Sequence, residues 1–385
     1  MKIGIVTQKV VRGDGQGRVN YEIARYALSQ GNDVTLITSA VDDSLLAAGA
    51  KWVPVRPRVR TPNIITAWEF AQRANTALKP IAGDLDIIHG NGCSLDLPHQ
   101  VNAAHFVHGA WLKSPAHISH VRKDLYGAYQ WTYTAVNARW ERSVFQKARK
   151  VVAVSDGIRR ELMEIGVPAE RIEVIYNGVD LLEFHPGSED RASLGLPKDV
   201  VLALFTGDIR SPRKNLDTVL KALVHAPGVH LAIGGKTDGS PYPQLAKDLG
   251  VGDRAHFLGF RRDVAKLMRA ADLFVFPSRY EACSLAILEA MASGLPIVTA
   301  STAGATDLIT QDLGVVLEDP NDEQALAKAI IDLSSDPQRR RSMGLAARGA
   351  AENHGWDSMA QSYLDVYGAI ASKVRETRQP SIVGA

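Results

Sequence analysis

The stretch DLFVFPSRYEACSLAILEAMASGLPIVTAS, residues 272–301, holds two short apolar runs separated by a helical segment. The runs DLFVFPS (272–278) and PIVTAS (296–301) are apolar almost throughout, which predicts strands of a parallel sheet covered on both faces. The segment Leu285–Ala292 between them predicts a helix. A strand, a helix and a second strand form a βαβ unit, and ligands of such sheets bind at the carboxyl ends of the strands.

The same alternation runs along the whole chain and predicts two doubly wound α/β units. The strands predicted for the first unit are KIGIVT (2–7), DVTLIT (33–38), DIIHG (86–90) and KVVAVS (150–155). The second unit adds VVLALFTG (200–207), HLAIGG (230–235), HFLGF (256–260) and GVVLED (314–319). Further helices are predicted at Val19–Gln30, Leu216–His225, Asp263–Ala271 and from Trp356 to about Val374. The proline- and glycine-containing segment Leu181–Pro197 is the predicted linker.

Composition excludes several classes of protein. The net charge of +2 is too small to indicate a nucleic-acid partner. The two cysteines, Cys93 and Cys283, lie far apart without a metal-ligand spacing, so neither a disulfide framework nor a zinc site is expected. The N-terminal residues MKIGIVT resemble a strand rather than a signal peptide, and we expect a cytoplasmic protein.

Two glutamates eight residues apart follow the first strand of the stretch 272–301. Glu281 lies in the turn before the predicted helix, where the backbone N–H groups of Cys283, Ser284 and Leu285 suit a phosphate. Glu281 can then hold sugar hydroxyls, and Glu289 can accept from the two vicinal hydroxyls of a ribose. The spacing alone fits two solvated surface glutamates equally well.

The segment GDIRSPRKN (207–215) places three cations between a predicted strand and a predicted helix. Arg210, Arg213 and Lys214 can hold a diphosphate there without a metal. The alternative is an exposed basic turn, which is what most such clusters are.

The first unit offers weaker candidates. Its segment GDGQGR (13–18) superficially resembles a dinucleotide fingerprint, but no acid ends the second strand, so Gly15 and Gly17 better suit close backbone approach to a ligand. In FVHGAW (106–111), His108 can donate to a sugar hydroxyl or help to polarise the reacting site, although a lone histidine is more often structural. The remaining polar candidates are His89, Asn91 and the pair Asp84 and Asp86, which we expect to be solvated at the amino end of a strand.

These motifs, in this order, resemble the family 4 glycosyltransferases, which have the GT-B fold. The most specific part of the resemblance is EACSLAILEAMASGLP, which resembles the family's motif of two glutamates eight residues apart. The first glycine loop, His108, VSDGIRRELMEIG (154–166), VIYNGVDLLEFHP (174–186) and Lys214 also match the family in order. The resemblance implies two Rossmann-like domains facing across a cleft, at 1–183 and 184–355, with the last helix, 356–375, returning to the first.

The resemblance also implies roles. Lys214 binds the diphosphate, Glu281 the donor sugar, Glu289 the ribose, and Phe260 and Arg261 lie near the base. The sequence departs from the family at Asp208, which stands where the family usually has arginine. We expect Arg210 to supply that charge, with Arg213 as the second choice because its side chain is expected to point to solvent. Ala282 and Ser284 replace the usual glycines, and Asp14 replaces a frequent glycine of the first loop.

The implied activity is retaining, metal-independent transfer of a hexose from a nucleotide diphosphate sugar, with UDP-hexose as the first choice of donor and GDP-mannose as the second. No cofactor is expected. The implied acceptor is a saccharide or a lipid-linked saccharide of cell-envelope or exopolysaccharide synthesis, bound by the first domain. Residues 111–145 are rich in aromatic and basic side chains that can grip a saccharide or lie at a membrane interface, or that partly belong to the core. A UDP-sugar epimerase of the same fold, a sugar-binding protein and a scaffold subunit are the alternatives.

Overall fold

A computed structural model describes residues 1–13, 15–59 and 61–378, and the chain divides into two compact units. Unit 1 contains Met1–Lys113, Arg122–Asn177 and the segment that begins at Trp356. Unit 2 contains Ser114–Val121 and Gly178–Gly355. The short segment Ser114–Val121 was not expected in the second unit, because the sequence predicts one uninterrupted first domain up to residue 183.

Every strand pair of the two large sheets is parallel. The strands are β1 (Lys2–Val6), β2 (Lys9–Val10), β3 (Asp33–Thr38), β4 (Ala40–Val41), β5 (Lys51–Pro54), β6 (Ile87–Asn91), β7 (His99–Ala104), β8 (Ala148–Ala153), β9 (Ile172–Val174), β10 (Val201–Thr206), β11 (Val229–Gly234), β12 (Ala255–Phe257), β13 (Leu273–Phe276), β14 (Ile297–Ala300) and β15 (Gly314–Leu317). Unit 1 has the order β5-β3-β1-β6-β7-β8-β9, unit 2 has the order β12-β11-β10-β13-β14-β15, and β2 pairs with β4.

Helices connect these strands, as parallel pairing requires. They are α1 (Gly15–Ser29), α2 (Asp43–Ala47), α3 (Asn63–Leu78), α4 (His108–Lys113), α5 (Ile118–Val121), α6 (Leu125–Lys147), α7 (Asp156–Glu164), α8 (Leu216–His225), α9 (Tyr242–Asp248), α10 (Val264–Ala270), α11 (Leu285–Ala292), α12 (Glu323–Ser335), α13 (Pro337–Ala351) and α14 (Trp356–Arg378). Short 3-10 turns complete the connections.

The helix α14 belongs to the core of unit 1, which is the position that the family resemblance implies for the last helix. Met359, Tyr363 and Tyr367 on this helix pack with Ile3, Ile23 and other buried side chains of β1 and α1. The Tyr367 hydroxyl lies 2.6 Å from Nδ1 of His89 on β6, and the His89 ring stacks on Tyr363 at 5.5 Å between centroids. His89 is therefore a fully buried packing residue, and its candidacy as a ligand-binding residue is wrong.

The two sheets share one arrangement of their central strands. In unit 1 the order of connections reverses between β1 and β6, and in unit 2 it reverses between β10 and β13. At such a reversal the loops that leave the two central strands diverge to opposite faces and leave a crevice at the carboxyl edge, where ligands of open α/β sheets bind. The segments after β1, β6, β10 and β13 are therefore where each site is expected.

All ten predicted strands are present, but β2, β4, β5, β7 and β9 were not predicted. The strand β7 reads HQVNAA, and its polar side chains conceal it. Asn102 is nevertheless fully buried; its side-chain amide nitrogen donates to the Gly92 carbonyl oxygen at 3.1 Å and lies 3.0 Å from His99 Nε2, whereas its Oδ1 has no hydrogen-bond partner among the described residues. A polar residue whose amide nitrogen is hydrogen-bonded can occupy a buried strand, and an apolar pattern cannot reveal it.

Candidate active site

The strongest charge cluster of unit 2 lies at the switch point between β10 and β13. Lys214 Nζ lies 2.6 Å from Glu281 Oε1, and an Arg213 guanidinium nitrogen lies 2.9 Å from the same oxygen. The side chains of Lys214 and Glu281 are 14% and 12% exposed, so the pair is largely removed from water. Burial, the larger influence, lowers the pKa of Lys214, while the adjacent Glu281 carboxylate raises it. Two cations and one carboxylate thus converge at this edge of the sheet.

Backbone hydrogen bonds fix the two loops of this cluster against each other. The Arg213 carbonyl oxygen accepts from the Arg279 N–H at 2.8 Å and from the Ser278 hydroxyl at 3.0 Å. Asn215, fully buried in the left-handed region at φ 66°, donates its amide to the Pro277 carbonyl oxygen at 2.8 Å. The positions of Lys214 and Glu281 are therefore set by the backbone as well as by their own ion pair.

Gly304 supports the Glu281 turn from the opposite side. The Glu281 N–H donates to the Thr302 carbonyl oxygen at 3.0 Å. A Cβ at residue 304 would lie 2.3 Å from the Ala282 carbonyl oxygen and 2.4 Å from that of Glu281. Only glycine fits this close approach, which the sequence analysis did not single out.

The orientation expected for Arg213 is wrong. Its guanidinium turns inward to Glu281, and a guanidinium nitrogen also contacts the Tyr280 carbonyl oxygen at 3.3 Å. Arg210, expected to join Lys214, instead donates to both oxygens of Asp208 at 2.8 and 3.1 Å, and both side chains are about half exposed. Ser211 caps the 3-10 turn Pro212–Lys214, and this turn brings Arg213 to Glu281.

The helix α11 begins four residues after Glu281. Ser284 is its N-cap, and the Ser284 hydroxyl accepts from the Ile287 N–H at 3.4 Å. Cys283 is buried, Leu285 is the first helical residue, and Glu289 lies in the body of the helix and is half-buried. The structure therefore places Glu281 before the helix and Glu289 within it, as predicted, and leaves their binding roles as predictions.

Beside this cluster lies a cavity of about 290 Å³ at the carboxyl ends of β10 and β11. Gly207, Asp208, Arg210, Gly235, Lys236, Phe260 and Arg261 are among its lining residues. Phe260 is 65% exposed, and Arg261 pairs with Asp263 at 2.6 Å. Gly235 permits the close packing of the two loops, because a Cβ there would lie 2.3 Å from the Gly207 carbonyl oxygen. An exposed ring beside cations can receive an aromatic base and its phosphates.

A second cavity, of about 300 Å³, lies at the corresponding edge of unit 1. The segments after β1, β6 and β7 line it, together with α1 and α6; the lining includes Gln8, Lys9, Gln16, Gly17, Asn91, Cys93, His105, Phe106, His108, Tyr133, Asn137 and Glu141. Gly15 and Gly17 lie in the first turn of α1, and a Cβ at Gly15 would meet nothing within 4 Å. Asp14 of the same loop lies outside the described residues.

His108 begins α4 and borders this cavity. Burial lowers the pKa of His108 to about 4, so the imidazole is neutral at pH 7. Within the described part of the chain, its buried Nδ1 has no hydrogen-bond partner. A neutral imidazole of this kind can accept from or donate to one hydroxyl group.

The sequence analysis missed most of the polar wall around His108. Asn20 and Asn91 exchange side-chain hydrogen bonds at 3.1 and 2.9 Å and tie α1 to β6. His105 Nε2 lies 3.2 Å from Asn91 Oδ1, and burial lowers the pKa of His105 to about 4. Glu141, on α6, accepts from two backbone N–H groups of the His108 turn at 2.9 and 2.8 Å. Of these residues only Asn91 was a candidate, because the others carry no motif.

Asp84 and Asp86 lie at the amino end of β6, as predicted. The Asp86 carboxylate accepts from the Lys2 N–H at 2.8 Å, which ties β6 to β1. Across residues 1–13, 15–59 and 61–378, no group of three or more histidine, cysteine, aspartate or glutamate side chains is arranged to hold a metal.

The aromatic residues of the stretch 111–145 divide between core and surface. Trp111 and Phe145 are buried, whereas Tyr126 and Trp131 on α6 are 46% and 52% exposed. Leu125, at the start of α6, is 91% exposed. Among the described helices, none is long and apolar enough to cross a membrane.

Comparison with known proteins agrees with this geometry. The model of the family "Glycosyltransferase Family 4" matches residues 13–182, and that of "Glycosyl transferases group 1" matches residues 187–350. The chain belongs to the family 4 glycosyltransferases. Within the family 4 match lie the glycine loop and His108, and within the group 1 match lie Lys214 and both glutamates.

Curated relatives support the family assignment. The D-inositol 3-phosphate glycosyltransferase of Xylanimonas cellulosilytica is 36% identical over 253 residues, which are 60% of this chain and 60% of the relative. The enzyme of the same name from Mycobacterium tuberculosis is 32% identical over 253 residues, which are 62% of this chain and 52% of the relative. The matched region thus spans between half and two thirds of these family 4 relatives.

Solved structures show the fold over almost the whole chain. The sucrose-phosphate synthase of Thermosynechococcus elongatus has a TM-score of 0.78 at 20% identity and covers 97% of this chain and 99% of its own. WaaG, a glycosyltransferase of lipopolysaccharide biosynthesis, has a TM-score of 0.75 at 22% identity, and the match covers 95% of this chain and 99% of WaaG. Anabaena HepE, solved with UDP and glucose, has a TM-score of 0.70 at 22% identity, and the match covers 96% of this chain and 100% of HepE. The GT-B class with two Rossmann-like domains, predicted for this family 4 member, is confirmed.

Proposed function

We propose that this chain transfers a hexose from a UDP-hexose to a hydroxyl of a saccharide or lipid-linked saccharide, with retention at the anomeric carbon and without a metal. The observation that carries the proposal is the convergence of Lys214 and Arg213 on Glu281 at the switch point of unit 2. The family supports the class of reaction, and the geometry supports the choice of these residues.

The donor would occupy the carboxyl edge of unit 2. Phe260 and Arg261 would border the base, Glu289 would accept from the ribose, and the diphosphate would take Lys214 and Arg213 from the Glu281 carboxylate. Glu281, released in part from these cations, would then accept from the donor-sugar hydroxyls. The backbone N–H groups of Ser284 and Leu285, at the start of α11, would add hydrogen-bond donors to the phosphate.

The acceptor would occupy the cavity of unit 1. Amide side chains, such as those of Asn91 and Asn137, and the ring of Tyr133 suit a hydroxyl-rich molecule, since sugars combine hydrogen-bonding edges with apolar faces. His108, neutral at pH 7, would hold the reacting hydroxyl. The relatives named for D-inositol 3-phosphate also act on a polyhydroxylated ring, which agrees with this class of acceptor.

In the transfer, the anomeric C–O bond to the diphosphate breaks and its electron pair stays on the leaving phosphate oxygen. The acceptor oxygen forms the new bond on the same face, and its proton passes to the departing phosphate. Lys214 and Arg213 stabilise the charge that accumulates on that phosphate, which is preorganised electrostatic catalysis. No side chain needs to form a covalent intermediate.

Three measurements test the proposal. Release of UDP from UDP-glucose and of GDP from GDP-mannose, each with and without a panel of saccharide acceptors, identifies the donor and separates transfer from hydrolysis. Anomeric proton coupling in the isolated product reports retention. Assays in EDTA, followed by added Mn²⁺, test for a metal; loss of turnover in chelator that Mn²⁺ restores would contradict the metal-independent mechanism. A new sugar isomer without an acceptor-linked product would favour an epimerase.

We also propose peripheral contact with the inner face of the membrane through the start of α6. Leu125, Tyr126 and Trp131 are exposed there, and the neighbouring Arg122 is exposed and ion-paired with Asp124. Aromatic rings with cations suit the interface of an anionic bilayer. Cosedimentation with anionic vesicles should fall for Leu125→Ser/Trp131→Ser, while UDP affinity stays unchanged.

A further inference from the structure

The buried carboxylate of Glu141 lies in unit 1 and has no part in the proposed binding of the donor by unit 2. It lies on α6, with 1% of the residue exposed. Its Oε2 accepts from the His108 N–H at 2.9 Å, and its Oε1 accepts from the Gly109 N–H at 2.8 Å. Both oxygens are therefore committed to the backbone turn that presents the His108 ring to the cavity.

The contact leaves little room for another arrangement. A Cβ at residue 109 would lie 3.4 Å from Glu141 Oε1 and 3.1 Å from Ile165 Cγ2, so the carboxylate packs directly against this glycine. An ionised carboxylate is acceptor-only and matches two N–H donors. A protonated carboxyl group carries one O–H donor, which opposes one of the two N–H groups and weakens the clamp.

The surroundings of Glu141 bring its titration near neutrality. Burial raises the pKa of Glu141 to about 7, and the two backbone N–H donors lower it by less. The carboxylate of Glu161 on α7 raises this pKa further, and the guanidinium of Arg142 lowers it. Cys93 and His108 face the same region; burial lowers the pKa of His108 to about 4, well separated from that of Glu141.

We infer that Glu141 is a positioning residue that holds the His108 turn in its acceptor-binding form as a carboxylate and loosens it when protonated, which makes acceptor use sensitive to pH. This inference rests on the proposed function, since it gives His108 its role toward the acceptor. Donor binding, in unit 2, would not respond to the same proton.

The first test compares pH profiles of acceptor-dependent turnover in the full chain. Wild type should lose kcat/KM for the acceptor as pH falls through about 7, while UDP affinity stays level. Glu141→Gln, which presents one acceptor and one donor at all pH values, should lower kcat/KM about tenfold or more and remove this acid limb. Glu141→Asp should retain a limb at reduced turnover, because a carboxylate persists.

Glu161→Gln provides the matched variant. It leaves Glu141 intact and removes the negative charge that raises the Glu141 pKa, so the acid limb should move to lower pH. A purely structural role of Glu141 would lower activity without this displacement. The inference would be overturned if the acid limb of the pH profile stayed at the same pH in Glu161→Gln, or if Glu141→Gln kept the acid limb of the wild type.

An amide resonance gives a readout that needs no activity. In ¹⁵N-labelled protein, the Gly109 N–H should titrate with an apparent pKa near that of Glu141, and this titration should disappear in Glu141→Gln. If no donor and acceptor pair reacts with wild type, the proposed function fails while this titration still supports the proton-responsive clamp. A Gly109 amide that shows no titration between about pH 5.5 and about pH 8.5 would contradict the clamp itself.

Discussion

The two candidate sites occupy equivalent edges of similar sheets but use opposite electrostatics. In unit 2, the formal charges of Arg213, Lys214 and Glu281 lie within hydrogen-bond distance of each other. In unit 1, the cavity contains imidazoles that burial keeps neutral and a carboxyl group whose pKa burial raises to about 7. The difference agrees with the proposal that the diphosphate of the donor binds at the edge of unit 2 and a hydroxyl-rich acceptor at the edge of unit 1.

The largest effect is expected at Lys214. Lys214→Ala should lower turnover about 10²–10³-fold, because it removes one preorganised cation from the charge that develops on the leaving phosphate. The measurement is the initial rate with UDP-sugar and acceptor. Lys221→Ala, a more exposed lysine of the neighbouring helix α8, is the matched control and should retain near wild-type rates. Comparable losses in both variants would point to a general loss of charge or stability.

Arg213 and Arg210 distinguish the inward cation from the exposed one. Arg213→Ala should lower turnover about 10²-fold, since its guanidinium reaches the same carboxylate as Lys214. Arg210→Ala should cost no more than about tenfold, because Arg210 forms an exposed pair with Asp208, and exposed pairs contribute little. The same initial-rate assay ranks them. A severe Arg210 defect beside a mild Arg213 defect would restore the expectation from the sequence.

The two glutamates should separate nucleotide binding from sugar binding. Glu289→Ala should weaken UDP about 10–100-fold, the effect of losing hydrogen bonds to a charged acceptor. Glu281→Ala should leave UDP affinity close to wild type and impair the sugar-dependent steps. Calorimetry with UDP on both variants measures this directly. Equal losses of UDP affinity would show that the roles are not divided.

The smallest effect expected is on stability, and it should appear in unit 1. Burial lowers the pKa of His99, His105 and His108 to about 4 and that of His89 to about 3, all below the ordinary value of 6.5. The unfolded chain therefore binds more protons, so this stabilisation is complete above about pH 6.5 and is lost as pH falls toward 4. Glu141, with a raised pKa, has the opposite sign between about 4.5 and about 7.

Four histidines destabilise unit 1 as the pH falls and one glutamate stabilises it, so unit 1 should lose stability on acidification. Hydrogen exchange at pH 5 and pH 7.5, corrected for the intrinsic chemical rates, should show β6 and β7 losing more protection than β10 and β11. Equal changes in both units would contradict this account.

The comparison also shows what a sequence can reveal. The unit 2 site was largely predictable, because Lys214, Glu281 and Glu289 lie in two short motifs directly after apolar strands. The choice between Arg210 and Arg213 was not, since it depends on the 3-10 turn Pro212–Lys214 and on carbonyl contacts from Ser278 and Arg279. Side-chain direction within a loop is a tertiary property.

The unit 1 site was less predictable. His108 was a weak candidate until the family resemblance supported it. His105 and Glu141 reach the cavity from separate elements with no shared motif, and Asn20 supports the lining residue Asn91. The fold was predicted best where strands are apolar, as in β1 and β13, and worse at β7, where the buried polar residue Asn102 is hydrogen-bonded through its amide nitrogen to Gly92 and contacts His99.

The placement of α14 has a consequence for biosynthesis. Residues of unit 1 that precede Gly178 leave the ribosome first, yet their core includes Met359, Tyr363 and Tyr367. The intervening segment, which forms most of unit 2, carries its own complete sheet and can fold during translation. The apolar surface of unit 1 that α14 covers therefore stays exposed until α14 leaves the ribosome. We expect the N-terminal part of a nascent chain to be more prone to aggregation than the part that forms unit 2.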